Sequence, residues 1–408
     1  MDRAETSRRG KSDMISSLPD CLIHLIMSFL TAQEAVRTCV LSNRWKNLWT
    51  TLPFLDFDLS KFDYERSKFG KFRDFVTMTL LLREASDLHK FRLSCQEMSY
   101  WSEYHMFYRA WILYALKHNL RALNITSIEA GVLPVGVFTC ASLVDASLSS
   151  FYSSMQVIKV VNLPCLRRLH LNGINLNQGF IEKLLHGCPV LEFLHLGRCC
   201  RELFNINSQS LKYLIVEDCD LDEETKEEID LINTPNLLSL CYSIRPLVIG
   251  HKVLFKMPFL TGACINLEYS QNWSYMSKSV ILVGLSTVEN LTLYGFGIKY
   301  FLRNELPNCP EFSDLKDLYV CLSCDFNLLS SFLNHCPNLE KLSVFHFGCF
   351  CEVKGHVIQE SLKIAPFKGK RLQTVEVHLE RDKDFPRVVK YIQDIFENSK
   401  PWINVVGL

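Results

Sequence analysis

Residues 211–221 read LKYLIVEDCDL. Leu211, Leu214 and Val216 stand at the first, fourth and sixth places, and Cys219 and Leu221 come at the ninth and eleventh. Alternation across Leu214, Ile215 and Val216 has the period of a strand that buries one face. The same six-residue phrase, with conservative substitutes, recurs along the chain. It is LHKFRL at 88, LRALNI at 120, LVDASL at 143, LRRLHL at 166 and LEFLHL at 191. It continues as LLSLCY at 237, LTGACI at 260, VENLTL at 288, LKDLYV at 315, LEKLSV at 339 and LQTVEV at 372.

Most intervals are roughly 20–28 residues, the period of leucine-rich repeats, whose ninth place takes Asn or Cys. Between the phrases lie helical or irregular stretches such as GFIEKLLHGCP (179–189) and LLSSFLNHCP (328–337). The expected fold class is therefore α/β: a curved solenoid whose stacked strands form a parallel inner sheet. LTGACI is the least regular copy and marks a candidate break. The repeats should occupy residues 119–365, entered through helices within 70–118 (FRDFVTMTLLL and YRAWILYALKHNL) and closed by a strand–helix–strand cap over 366–408.

In such a strand the residue between the last two apolar ones points away from the core. This places His170, His195, Ile215, Cys241, Thr292, Tyr319 and Ser343 on the exposed face, with Phe193, Tyr213, Tyr294 and Phe345 on the same side. Strands ~4.8 Å apart would set His170, His195 and Ile215 in a row. Aromatic and amphipathic side chains on an exposed sheet are what a protein interface uses as anchors. His170, Phe193, His195, Tyr213, Tyr294, Tyr319 and Phe345 are accordingly the candidate residues for binding a protein substrate.

Composition narrows the function classes. The 408 residues carry 44 basic and 44 acidic side chains, so the basic excess that neutralises phosphates is missing and nucleic acid is not an expected partner. The apolar runs fall short of the ~18–20 residues that cross a bilayer, and no membrane partner is expected. The start, MDRAETSRRGKSD, is polar; residues 1–13 read as a disordered tail without the apolar core of a secretion signal. Seventeen cysteines then imply free thiols in a reducing compartment, the nucleus or the cytoplasm or both.

Residues 14–58 form a separate module. Pro19 suits a first helical position with Asp20 behind it, Thr31 and Glu34 have capping-box spacing, and Ser42 is placed to cap a third short helix carrying Trp45 and Trp49. At about 100° per residue, Leu22, Ile23, Leu25, Ile26, Met27, Phe29 and Leu30 cover an arc of roughly 200°. A module of ~40 residues cannot hide that much apolar surface inside itself. The surplus packs either on the rest of the chain or on another protein.

The stretch LPDCLIHLIMSFLTAQEAVRTCVLSNRWKNLWTTLPFLDFD resembles the F-box of plant F-box/leucine-rich-repeat proteins. The resemblance rests on Leu18-Pro19-Asp20, Ile26/Phe29/Leu30, Val36, Cys39, Val40-Leu41-Ser42, Arg44-Trp45 and Leu48-Trp49. The C-terminal strand–helix–strand is similar to the FBD tail of the same family. The resemblance implies a Skp-type adaptor as partner and, through it, cullin and RING subunits that deliver ubiquitin to a bound protein. It also implies that Leu18, Pro19, Ile23, Ile26, Val36, Val40 and Trp45 face or support the adaptor, while Trp49 ties the module to the next segment of the chain.

Nucleophile elbow, phosphate loop and H-E-x-x-H are all missing from the sequence, so no catalytic residue and no cofactor are expected. Cys321, Cys324, Cys336, His346, Cys349, Cys351 and His356 are of zinc-ligand type, but a second C-x-x-C at matching separation is wanting, and no metal is expected. The acidic run 217–230 reads as a solvated loop, with contact to a basic substrate patch as its alternative. The expected function is the substrate-recognition adaptor of a Skp–cullin–F-box ubiquitin ligase. Its rivals are an interaction scaffold working without cullin or ubiquitin, and a zinc or redox enzyme built on the 321–356 cluster.

Overall fold

Each copy of the leucine phrase becomes a parallel strand in the computed structural model, with the strand starting at the third residue of the phrase. The structure describes residues 15, 17–62, 68–85, 87–95, 105–126, 133–154, 158–176, 178–201, 205–221, 229–244, 252–268, 281–321, 326–346, 367, 371–379, 390, 392–396 and 401–407. The tail expected over 1–13 lies outside these residues. The chain divides into two compact units, Met1–Phe151 and Tyr152–Leu408.

The first unit opens with α1 (Asp20–Met27) and α2 (Ala32–Arg37) and continues through β1 (Phe54–Asp58), α3 (Lys68–Leu82), β2 (Lys90–Ser94), α4 (His105–Leu116), β3 (Ala122–Thr126) and β4 (Asp145–Ser154). The strands β1 to β4 pair in parallel in chain order. β1 was not foreseen: Pro53 interrupts the copy Leu52–Phe57, yet Leu52, Leu55 and Phe57 are all buried like the leucines of later copies. Helices α3 and α4 fall where helices were expected and pack on each other through Phe72 and Trp111, ring centroids 5.9 Å apart.

Two local expectations for the N-terminal module need correction. Pro19 is the N-cap of α1, with φ −61° and ψ 149°, rather than its first helical residue. The third helix does not form: residues 43–47 make turns, flanked by 3-10 segments Thr38–Val40 and Leu48–Thr51. A segment this short cannot recover the cost of helix nucleation, and tight i+3 bonds such as Trp45 N–H to Ser42 C=O satisfy the backbone instead. The capping box at Thr31 is present in full: Glu34 accepts from the Thr31 N–H at 2.9 Å, and the Thr31 hydroxyl accepts from the Glu34 N–H.

The second unit comprises β5 (Arg168–Leu176), α5 (Gln178–Gly187), β6 (Phe193–Gly197), β7 (Cys200–Arg201), β8 (Asn205–Asn207), β9 (Tyr213–Glu217), β10 (Asp220–Leu221), β11 (Ile229–Asn233), β12 (Ser239–Ile244), β13 (Lys252–Lys256), β14 (Gly262–Leu267), α6 (Ile281–Gly284), β15 (Asn290–Tyr294), α7 (Ile298–Glu305), β16 (Asp317–Cys321), α8 (Phe326–Leu333), β17 (Lys341–His346), β18 (Thr374–Leu379) and β19 (Trp402–Gly407). Strands β5-β6-β9-β12-β14-β15-β16-β17-β18-β19 run in one parallel sheet. The irregular copy LTGACI makes no break, since β14 pairs with both β12 and β15. Behind this sheet β13, β11 and β8 form a second, three-stranded parallel sheet, where the sequence suggested only helices or loops. At the C-terminus β18 and β19 pair in parallel, with residues 392–395 helical between them in sequence.

The register repeats by hydrogen bonding. The carbonyl of Arg167 accepts from the N–H groups of Glu192 and Phe193, Glu192 from Lys212 and Tyr213, and Lys212 from Leu238 and Ser239. A second device ends β6, β9 and β15 and recurs inside β5, which continues to Leu176. Gly173, Arg198, Asp218 and Gly295 occupy the same place after the last core residue of their phrases, and all have positive φ, from 48° to 106°. At Arg198, Asp218 and Gly295 the left-handed residue turns the chain out of its strand. At Gly295 glycine is also required by space, because a Cβ there would meet the Leu267 carbonyl oxygen at 2.3 Å.

Gly295→Ala should therefore lose roughly 2–4 kcal/mol in urea unfolding, from added backbone strain plus the clash. Asp218→Gly, at the open counterpart position, should change stability by about 1 kcal/mol or less. The capping box predicts a pH response: hydrogen bonds from the Thr31 backbone and hydroxyl hold the Glu34 carboxyl below the usual carboxylate range. Its stabilising effect is present above the ordinary carboxylate pKa and disappears as pH falls through the lowered folded-state value. Thr31→Ala should cost about 1 kcal/mol at neutral pH and flatten that acid-side slope, measured by thermal unfolding between pH 7 and 3.

Candidate functional site

The N-terminal module has a core of its own, and it is small. Ile23, Met27, Ala35, Trp45 and Leu52 are buried together, with Leu18, Leu30, Leu48, Trp49 and Phe54 packed around them. Phe54 lies on β1, so the first strand as well as Trp49 packs against the module's core. The turn over residues 43–47 is drawn to the start of α1 by Arg44, whose Nη2 lies 2.5 Å from Asp20 Oδ1. That carboxylate also sits in the first helical turn, where the helix dipole favours negative charge.

One face of the module is left uncovered. Phe29 is 82% exposed and Val40 84%, and Leu22, Leu25, Ile26 and Leu41 are exposed with them. The expected adaptor residues divide accordingly. Pro19, Ile26 and Val40 are exposed, Leu18 and Val36 half-buried, and Ile23 and Trp45 belong to the core. The structure thus places Ile23 and Trp45 inside the module's core, where the i, i+4 pair Ile23 and Met27 on α1 points inward beside Trp45. Leu22, Leu25, Phe29 and Leu41 were outside the expected set. Their signal was available in the width of the apolar arc, which exceeds what one core-facing stripe uses.

The second surface is the outward face of the main sheet in the second unit. Register partners run His170, His195, Ile215, Cys241, Cys264, Thr292, Tyr319, Ser343, Glu376 and Asn404 in a single row across the strands. Two residues before it on their strands, Phe193 and Tyr213 are partners; two residues after it, Cys321, Phe345 and His378 are.

These side chains gather into two groups. In the first, His170 Nδ1 lies 3.3 Å from His195 Nδ1, and His195 Nε2 lies 2.8 Å from Glu217 Oε1. The Phe193 ring sits 4.8 Å from His170 and 6.5 Å from Tyr213. In the second group Tyr319, Phe345 and His378 stack face to face across three strands, at 4.5 and 4.0 Å between centroids. Lys341 pairs with Glu376 at 2.9 Å beside the stack and holds that carboxyl below the usual range. Four strand spacings separate β9 from β16, about 19 Å at ~4.8 Å each. Of the expected substrate residues, His170, Phe193, His195 and Tyr213 come together, Tyr319 and Phe345 come together, and Tyr294 lies between the groups. Glu217, Glu376 and His378 join them; Glu376 is the middle residue of its phrase, whereas Glu217 and His378 fall outside that position.

The described cysteines are free thiols. Cys199 and Cys219 occupy the ninth place of their phrases and donate to nearby carbonyls, Cys199 to Gly197 at the end of its own strand at 3.3 Å and Cys219 to Leu196 on the neighbouring strand at 3.4 Å. Cys336, one of the metal-type residues, is fully buried and donates to Phe332 C=O. Cys324, Cys349, Cys351 and His356 and residues 222–228 of the acidic run lie outside the described residues, as does the side chain of His346. Among the described residues no group of three or more metal-type side chains could hold an ion, and no helix is long and apolar enough to cross a membrane.

Burial pushes the Cys95 and Cys188 thiols up to about 12. With a maleimide at pH 7.5, exposed Cys21 and Cys165 should therefore label first, and Cys95, Cys188 and Cys336 only on unfolding. Peptide mapping of alkylated protein with and without urea reads this directly.

Comparison with known proteins finds two matching family models. The F-box domain model matches residues 15–57, and a model described as FBD-associated F-box protein At5g56370, LRR repeats, matches residues 108–254. The F-box/FBD/LRR-repeat protein At5g22660 of Arabidopsis thaliana is 30% identical over 393 residues, covering 90% of this chain and 82% of that protein. The FBD-associated F-box protein At4g10400 of the same plant is 30% identical over 335 residues, 81% of this chain and 76% of its own length. The putative F-box/FBD/LRR-repeat protein At5g22670, also from Arabidopsis thaliana, is 29% identical over 399 residues, 91% and 86% of the two chains.

Proposed function

The chain belongs to the F-box/FBD/LRR-repeat family, and from that premise we propose that it is the substrate-recognition subunit of a Skp–cullin–F-box ubiquitin ligase. The observation that carries the reading is the uncovered apolar face of the F-box, with Phe29 and Val40 more than four-fifths exposed beside a completed core. A contiguous apolar face rimmed by polar groups is the signature of a protein partner. A Skp-type adaptor would cover it and bring cullin and a RING subunit.

The sheet face supports the other half of the reading. Its two aromatic groups offer ring surface with polar tips, Glu217 and Glu376 beside histidines, spaced for an extended protein surface rather than a small molecule. The chain supplies binding geometry; the rate of transfer would rise because a target lysine is held near a thioester carried by another subunit. A residue that attacks or protonates substrate has no place in this scheme. Its site of action is the nucleus or the cytoplasm, in keeping with its free thiols.

Affinity capture tests the proposal. Full-length protein should retain a Skp-type adaptor together with cullin, and Phe29→Glu should weaken adaptor capture by roughly 2 kcal/mol or more, about thirtyfold, without lowering Tm. Trp45→Ala would also reduce capture, but through the core, at a loss of about 3–5 kcal/mol in module stability. Adaptor retained without cullin would favour the scaffold reading. Unchanged adaptor capture by Phe29→Glu would remove the apolar face from the account.

A further inference from the structure

Cys241 on β12 and Cys264 on β14 are register partners in the parallel ladder, half-buried on the outward face between Ile215 and Thr292. Among the described strand pairings no other sets cysteine against cysteine. Strands ~4.8 Å apart put the two Cα atoms inside the ~4.4–6.8 Å range of disulfides, with Cβ atoms slightly beyond the usual ~3.5–4.5 Å. A bond formed here would close after a small shift of the ladder and would carry strain. Strained, accessible disulfides are the ones easily reduced again.

The surroundings divide the work between the thiols. Cys264 interacts with the Cys241 thiol and with the Tyr294 hydroxyl on β15, and these two donors favour its thiolate, while the same contact and burial push the Cys241 thiol up. The neighbouring pair Cys199 and Cys219 is a useful contrast. Those thiols also interact, but they are buried and engaged with backbone carbonyls, out of reach of a dissolved oxidant.

We propose that Cys241 and Cys264 form a reversible dithiol–disulfide site on the sheet face, oxidised by a hydroperoxide. The Cys264 thiolate attacks one peroxide oxygen; the O–O bond breaks, leaving Cys264 sulfenic acid and hydroxide. The Cys241 sulfur then attacks the sulfenic sulfur, the S–O bond breaks, and the Cys241 proton leaves with the hydroxyl as water. Two thiols and one hydrogen peroxide give one disulfide and two waters. An external thiol reverses it by exchange. The site does not depend on the ligase reading, so a failure of either leaves the other standing.

The test uses the full-length protein, reduced, desalted, exposed to hydrogen peroxide, quenched by alkylation and digested without reductant. Lys252 and Lys256 separate the two cysteines, so trypsin releases them on different peptides. The expected product is a Cys241–Cys264 peptide pair lacking two hydrogens and lost on treatment with dithiothreitol. In Cys241→Ser, with folding checked by near-ultraviolet circular dichroism, dimedone should trap a sulfenic acid on Cys264, and Tyr294→Phe should slow that trapping. Recovery of both cysteines as alkylated thiols under conditions that oxidise Cys21 or Cys165 would overturn the proposal. So would a cross-link at Cys199–Cys219 in its place. The wild-type arm requires no variant to fold.

Discussion

A parallel strand that gives its alternate residues to a core has one face left, and in this protein everything presented to the outside by the array derives from that. In each phrase the first, fourth and sixth side chains are buried, as at Leu191, Leu194 and Leu196 or Leu339, Leu342 and Val344. The buried set locks register, because a slip of one residue would send leucines to water and histidines to the core. Paired N–H groups on each preceding carbonyl, from Arg167 onward, maintain the same frame from strand to strand. The outward residues are then aligned to strand spacing, which is why His170 meets His195, Cys241 meets Cys264, and Tyr319, Phe345 and His378 stack.

The F-box obeys the opposite logic. It is too small to cover its own apolar side chains, and its two helices and one tight turn close around only Ile23, Met27, Ala35, Trp45 and Leu52. The remaining apolar surface is concentrated on the outer side of α1 and around Val40. The Asp20–Arg44 contact and the Thr31 capping box hold the ends of these short elements without adding apolar cover. The module is thus specified by polar contacts at its ends and is left apolar on the face it offers.

The sheet was largely legible because its signal is written in side-chain type at a fixed period. The phrase located the strands, and even LTGACI, with glycine and alanine in place of larger residues, formed β14, since its neighbours on both sides supply the register it lacks. Where local bonding decides, the sequence was less clear. Ser42 to Trp49 has the spacing of a helix, but inward burial of Trp45 and i+3 bonding gave a turn. β1 was hidden by Pro53, β8 is only three residues long, and β11 and β13 lie in stretches that do not carry the leucine phrase. In the candidate site the middle residues of the phrase were readable from alternation. Glu217 and His378 were not, because their part comes from facing a neighbour on the next strand, a relation the chain does not print in order.

The left-handed residue at the eighth place of four phrases has a further consequence. Gly173, Arg198, Asp218 and Gly295 share one backbone conformation among three residue types, so the bend belongs to the frame and not to the residue. Together with the inward leucines it confines the folding instructions to a few places per repeat and leaves the outward row outside them. Such a scaffold can exchange the amino acids on its display surface while its architecture stays intact, so that new binding preferences can arise by substitution alone, without reinventing the fold.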